Sequence, residues 1–114
     1  AARGSLPVPY LVEGEETKLS EDAPPMDPQA VEELRQMMAA VTGPGGTASA
    51  FTAGGDIRGK TGEAEINEGS HSWFTGYRAD DDIAFATLVV LGGGSEAAVA
   101  LSDRMLLNLD APAE

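Results

Sequence analysis

The residues best suited to chemistry form the stretch Gly59-Lys60-Thr61-Gly62. Lysine offers a positive charge, threonine offers a hydroxyl, and glycine allows another chain to approach the backbone closely. Three such residues are equally typical of an ordinary polar strand, so their meaning depends on what surrounds them. The chain has no cysteine. Disulfides, thiolate metal sites and cysteine nucleophiles are therefore excluded.

The other candidate residues favour structural roles. His71 is the only histidine, and it has no serine or cysteine motif beside it that would make it a catalytic base, so we interpret it as a residue at the start of a strand. The aromatic side chains that follow could stack a ligand, but packing in the core is the preferred interpretation for Trp73, Phe74 and Tyr77.

The charge of the chain excludes several classes of partner. The formal net charge is −12 over 114 residues, which argues against binding to nucleic acid or to an anionic membrane surface. The acidic clusters lack the spacing of metal ligands, so we interpret them as solvated turns and predict neither a metal nor a cofactor; they are Glu63, Glu65 and Glu68, and Asp80 to Asp82. No apolar run reaches the ~20 residues of a membrane span.

Periodicity and capping residues predict the secondary structure. Asp27 is a typical helix cap and Pro28 a typical first helical residue, and apolar residues then recur at helical spacing as far as Gly43. Extended segments follow, and Ser95 is predicted to cap a last helix. The predicted elements are a helix over 27–42, three antiparallel strands within 56–91, and a terminal helix over 95–109.

This order of elements predicts an α+β fold. Short connections between consecutive strands imply an antiparallel meander, with helices beside the sheet. The third strand, Ile83 to Leu91, is almost entirely apolar, and we expect it to be buried on both faces. A three-stranded sheet with so apolar a terminal helix leaves surface to cover. We therefore expect another part of the protein to complete this core.

The order of short motifs resembles the end of the transpeptidase domain of class B penicillin-binding proteins, closest to the lipoprotein-like subgroup of actinobacteria. The resemblance covers nearly all of residues 1–114, which would form the C-terminal part of a single transpeptidase domain with the penicillin-binding and serine β-lactamase-like fold. The segments that carry it are Gly4 to Val12, Gly46-Thr47-Ala48, Gly59-Lys60-Thr61-Gly62, Ala64-Glu65 and His71 to Tyr77.

The resemblance implies roles for four consecutive residues. Lys60 would supply a fixed positive charge that favours a substrate carboxylate and tunes proton transfer, and Thr61 would offer that carboxylate a hydroxyl. Gly62 would let the substrate approach the strand, and the backbone N–H of Glu63 would be one of two oxyanion-hole donors. Glu63 departs from the family, in which threonine or serine follows the glycine. We expect its carboxylate to repel that of the substrate.

The nucleophile of the family is absent from these residues. Neither Ser-x-x-Lys nor Ser-x-Asn occurs, so there is no activated serine. We expect the chain to be inactive alone and to be an excised or nicked C-terminal piece whose partner is the N-terminal part of the domain, which carries the serine.

The function implied for the combined protein is a peptidoglycan D,D-transpeptidase that cross-links stem peptides and is acylated by β-lactams. It would work at the extracytoplasmic face of the bacterial membrane, anchored by a segment outside this chain. A D,D-carboxypeptidase, a serine β-lactamase of the same fold and a non-catalytic penicillin-recognising module remain alternatives.

Overall fold

The computed structural model describes residues 1–112, which contain two helices and one three-stranded sheet. The elements are α1 (Pro28–Thr42), β1 (Ile57–Ile66), β2 (Gly69–Arg78), β3 (Ile83–Val89) and α2 (Glu96–Asp110). The chain divides into two compact units, Ala1–Gln36 and Met37–Glu114. None of the described helices is long and apolar enough to cross a membrane.

The first unit is held by backbone hydrogen bonds and by the start of α1. The Val8 N–H donates to the Lys18 carbonyl over 2.8 Å, which joins two extended segments on either side of the acidic loop. The helix begins as predicted, because Asp27 Oδ1 accepts from the N–H groups of Gln29 and Ala30 over 3.0 Å each. Val31, buried in this unit, packs on Gly4.

The second unit is an antiparallel meander with strand order β1-β2-β3. In its register, Thr61 lies opposite Phe74 and Phe74 lies opposite Thr87. Directly opposed residues share a face of the sheet, so these three side chains point to the same side. Helix α2 covers that side: Ser72 Oγ accepts from the Ala98 N–H over 2.9 Å, and the hydroxyls of Ser102 and Thr87 lie 2.8 Å apart.

The core of this unit surrounds one aromatic ring on β2. Phe74 is fully buried, and its centroid lies 5.1 Å from that of Phe51 and 5.8 Å from that of Phe85. Ala48 and Val99 belong to the same buried cluster. Phe51 and Ala48 both come from the connection between α1 and β1, so this connection is packed against the sheet and its path is fixed.

The α+β prediction is therefore confirmed, but two local expectations are wrong. β3 is not buried on both faces: its residues alternate between half-buried and exposed, because α2 covers one side of the sheet, whereas Ala84, Ala86 and Leu88 on the other side are exposed. Ser95 precedes α2 without capping it, since its backbone is already helical and its side chain makes no cap hydrogen bond.

Candidate active site

β1 is an edge strand within the part of the chain that the structure describes. Only β2 is hydrogen-bonded to it, so one row of its N–H and C=O groups faces away from the sheet. Such a row is able to pair with an additional extended chain. Beyond Thr61 the strand is also open above and below, because every residue from Glu63 to Ile66 is exposed.

The four predicted site residues are consecutive on β1, so the pleat divides them between its two faces. Thr61 lies on the face covered by α2 and is 8% exposed. Glu63, two residues further on, shares that face. Lys60 and Gly62 lie on the opposite, open face, across from Thr75 and Trp73 of β2. A ligand could therefore contact both the lysine ammonium and the threonine hydroxyl only at the edge of the sheet.

Lys60 reaches towards that edge. Its side chain is exposed, and Nζ donates a hydrogen bond to the Thr61 carbonyl over 2.7 Å. The only other lysine, Lys18, lies in the first unit. Lys60 thus places a cation beside the main chain of its own strand, where an incoming anion would be attracted.

Thr61 is held by a partner that the sequence did not assign to it. Its Oγ1 lies 2.9 Å from Oγ1 of Thr47, and either hydroxyl could be the donor. Thr47 stands in the connection between α1 and β1 and is itself exposed. That connection is positioned by the burial of Ala48 and by the bond from the Ala48 N–H to the Val41 carbonyl over 2.8 Å.

Glycine is present on either side of Lys60 and Thr61 for different physical reasons. A Cβ at Gly59 would lie 2.2 Å from Cζ of Phe74 and 2.7 Å from the Thr75 carbonyl oxygen, so packing within the sheet requires glycine there. A Cβ at Gly62 would meet its nearest atom, Cβ of Trp73, at 3.2 Å. The packing of this unit constrains position 62 far less, which leaves room for a role in the approach of a ligand.

A second polar cluster fixes the connection that carries Thr47. The Asp103 carboxylate on α2 accepts from the N–H groups of Thr52 and Ala53 and from the Thr52 hydroxyl, each over 2.7 Å. Burial alone would raise the pKa of Asp103, but these three hydrogen bonds outweigh it and hold that pKa below its usual range. The ionised carboxylate thus anchors the connection to α2.

The histidine and the aromatic residues considered as candidate ligand-binding residues support the fold instead. His71 Nδ1 accepts from the Leu91 N–H over 3.0 Å, which supports Leu91 in its left-handed conformation at φ 54°. Phe74 and Tyr77 are buried, as predicted for core residues, whereas Trp73, on the side of the sheet opposite Phe74, is 40% exposed. Within residues 1–112, no three acidic or histidine side chains come together in a group able to hold a metal ion.

Sequence reasoning missed the specific partnerships of Thr47 and Asp103. In the sequence, Thr47 stands out only as part of Gly46-Thr47-Ala48, and Asp103 looks like any exposed acidic residue of a helix. Their contacts join positions 14 and 51 residues apart in the chain. No local pattern encodes such separations, so only a motif comparison could have drawn attention to Thr47.

Comparison with models of protein families identifies the family of this chain. The model of the penicillin binding protein transpeptidase domain matches residues 1–106. The chain therefore belongs to the penicillin-binding transpeptidase family, and its α+β architecture corresponds to part of that domain. Comparisons with curated proteins and with solved structures gave no significant match.

Proposed function

We propose that this chain supplies one wall of the active site of a peptidoglycan D,D-transpeptidase that is acylated by β-lactams. The observation that carries the proposal is the placement of Lys60, Thr61 and Gly62 on an edge strand, in a chain that belongs to the transpeptidase family. An extended stem peptide would pair with the open side of β1 as an added antiparallel strand.

The backbone geometry supports the role proposed for Glu63. In a strand, the N–H and C=O of one residue point to the same side, and those of the next residue point to the other. Lys60 Nζ reaches the Thr61 carbonyl over 2.7 Å, which favours placing the Thr61 backbone groups on the open side. The Glu63 N–H would then face the same side and could donate to an oxyanion, whatever side chain Glu63 carries.

Catalysis would need the serine of a Ser-x-x-Lys motif, which does not occur in the 114 residues of this sequence. We propose that the N-terminal part of the domain supplies Ser-x-x-Lys, and we call the two together the assembled protein. Its serine would attack a peptide carbonyl of the stem peptide, break the C–N bond and form an acyl-enzyme, with release of the residue beyond that bond as a free amine. The amine of a second stem peptide would then attack the ester carbonyl, form the cross-linking amide and release the serine hydroxyl. Lys60 would stabilise the substrate carboxylate and tune the proton transfers at the serine.

The open face of the sheet is consistent with such a partner. Trp73 and Leu88 lie opposite each other on this face and are 40% and 42% exposed. Apolar side chains of this size are normally covered in a stable domain. We propose that the N-terminal part packs on this face beside Lys60, which would bring its serine to the edge of β1.

The finer assignments are also proposals. The motif order favours class B and its actinobacterial lipoprotein-like subgroup, and hence a site of action at the extracytoplasmic face of the cell membrane, with the anchor outside this chain. Peptidoglycan stem peptides and β-lactams would be its ligands.

Labelling with a fluorescent penicillin tests the proposal. The assembled protein, purified with its serine intact, should become covalently labelled, and an excess of unlabelled penicillin should abolish the signal. Lys60→Ala should slow labelling at least tenfold, whereas Lys18→Ala, the matched control in the first unit, should not change it. Absence of labelling would contradict the proposed function. Labelling followed by rapid hydrolysis of the acyl-enzyme would indicate a β-lactamase instead.

A further inference from the structure

The hydroxyl of Thr61 is poorly placed to bind a ligand by itself. Thr61 is buried, and its Oγ1 is already engaged with Thr47 Oγ1 at 2.9 Å. Two hydroxyls joined by one hydrogen bond have a single proton left to donate outwards. Thr47 is exposed whereas Thr61 is not, so an outside acceptor can reach the free proton when Thr61 donates to Thr47.

We propose that Thr47 is a specificity-determining residue that donates a hydrogen bond to the free carboxylate of the substrate, with Thr61 donating to Thr47 behind it. This inference rests on the proposed function and identifies the hydroxyl group that recognises the substrate carboxylate. A donor that itself accepts a hydrogen bond is polarised and becomes a stronger donor, which suits an anionic acceptor.

The surroundings of Thr47 prepare it for this role. The backbone on its C-terminal side is fixed by the burial of Ala48, and the far end of the connection is fixed by the Asp103 carboxylate. The hydroxyl therefore does not need to be ordered when the ligand binds, which lowers the entropic cost of the contact. Lys60 reaches the same edge from the open face, so a carboxylate at β1 would have a cation on one side and the hydroxyl pair on the other.

The test compares a penicillin with its carboxyl methyl ester, which has the same reactive ring and no negative charge. Second-order acylation rates are measured on the assembled protein carrying Thr47→Val, Thr47→Ser or, as a matched control at an exposed threonine of the first unit, Thr17→Val. Loss of a hydrogen bond to a charged group predicts that Thr47→Val slows acylation by the free acid about tenfold. The rate with the ester should stay the same, and Thr47→Ser should restore the rate with the acid.

The possible failures are distinguishable. Equal slowing with the acid and the ester would show that Thr47 only supports the fold of β1, and an unchanged ratio of the two rates in Thr47→Val would overturn the inference while the proposed function stands. If the wild-type assembled protein reacts with neither compound, both the proposed function and the inference are wrong.

Discussion

Glu63 offers the most informative perturbation, because it places a negative charge beside the residues proposed to bind a carboxylate. The side chain is exposed and lies on the same face of β1 as Thr61. An antiparallel strand rises about 3.4 Å per residue, so positions 61 and 63 are roughly 7 Å apart. A ligand carboxylate bound beside the Thr61–Thr47 hydroxyl pair would therefore lie within range of a like charge.

The magnitude follows from Coulomb's law. Two unit charges 7 Å apart repel each other by about 0.6 kcal/mol in water, and by about 2.4 kcal/mol at an effective dielectric constant of 20. Because Glu63 is exposed, the lower figure applies, which corresponds to a rate effect of about threefold. Glu63→Gln should thus accelerate acylation by a carboxylate-bearing penicillin about threefold, and Glu63→Thr should do so by more because it adds a hydroxyl donor.

The assay is the second-order acylation rate of the assembled protein at low and at high ionic strength. The Debye length falls from about 10 Å at 0.1 M salt to about 3 Å at 1 M, so the gain in Glu63→Gln should disappear in 1 M salt. Glu65→Gln is the matched control, since Glu65 shares the face but lies about 14 Å from position 61. Equal acceleration in both variants, or none in Glu63→Gln at low salt, would refute the reasoning.

Three further predictions concern the framework. Gly59→Ala should destabilise the assembled protein by about 3 kcal/mol, because its Cβ would clash with Phe74, whereas Gly54→Ala, with open space around its Cβ, should leave the melting temperature nearly unchanged; equal melting temperatures would contradict this. Asp103→Ala should cost about 2 kcal/mol, since three hydrogen bonds are lost. Because the pKa of Asp103 is lowered by folding, its stabilisation is complete above the ordinary carboxyl value of about 3.9 and is lost as the pH falls through the lower folded value; a thermal scan of Asp103→Ala against wild type should show the difference shrinking below about pH 4, and a constant difference would exclude this linkage. Finally, the 114-residue chain alone should show no cooperative thermal transition, because Trp73 and its apolar neighbours on the open face remain uncovered; a sharp calorimetric peak would be the contrary result.

The elements of the fold were readable from local chemistry. Asp27 and Pro28 mark the start of α1 because capping depends on neighbouring residues alone, and the glycines from Gly43 onwards mark its end. The short turns between strands made an antiparallel order the natural outcome. The burial of β3 was misjudged because an apolar run records that a strand can be buried, not that something covers it.

For the candidate site too, some features could be predicted from the sequence and others could not. Its position in the chain was indicated by Lys60, Thr61 and Gly62, since the residue types that suit a strand-borne anion site are consecutive there. Three other features depend on which strands are neighbours. Within the described residues β1 is an edge strand, Lys60 and Thr61 lie on opposite faces of it, and packing against Phe74 requires glycine at position 59.

The sequence by itself determined the elements, their antiparallel order and the stretch of β1 that resembles an active-site wall, because each of these depends on residues close together in the chain. The tertiary structure decided the rest. It brought Thr47 to within 2.9 Å of Thr61 and tied the same connection to Asp103. Such contacts depend on how a buried connection packs across a sheet, which is a property of the whole core and of no single motif.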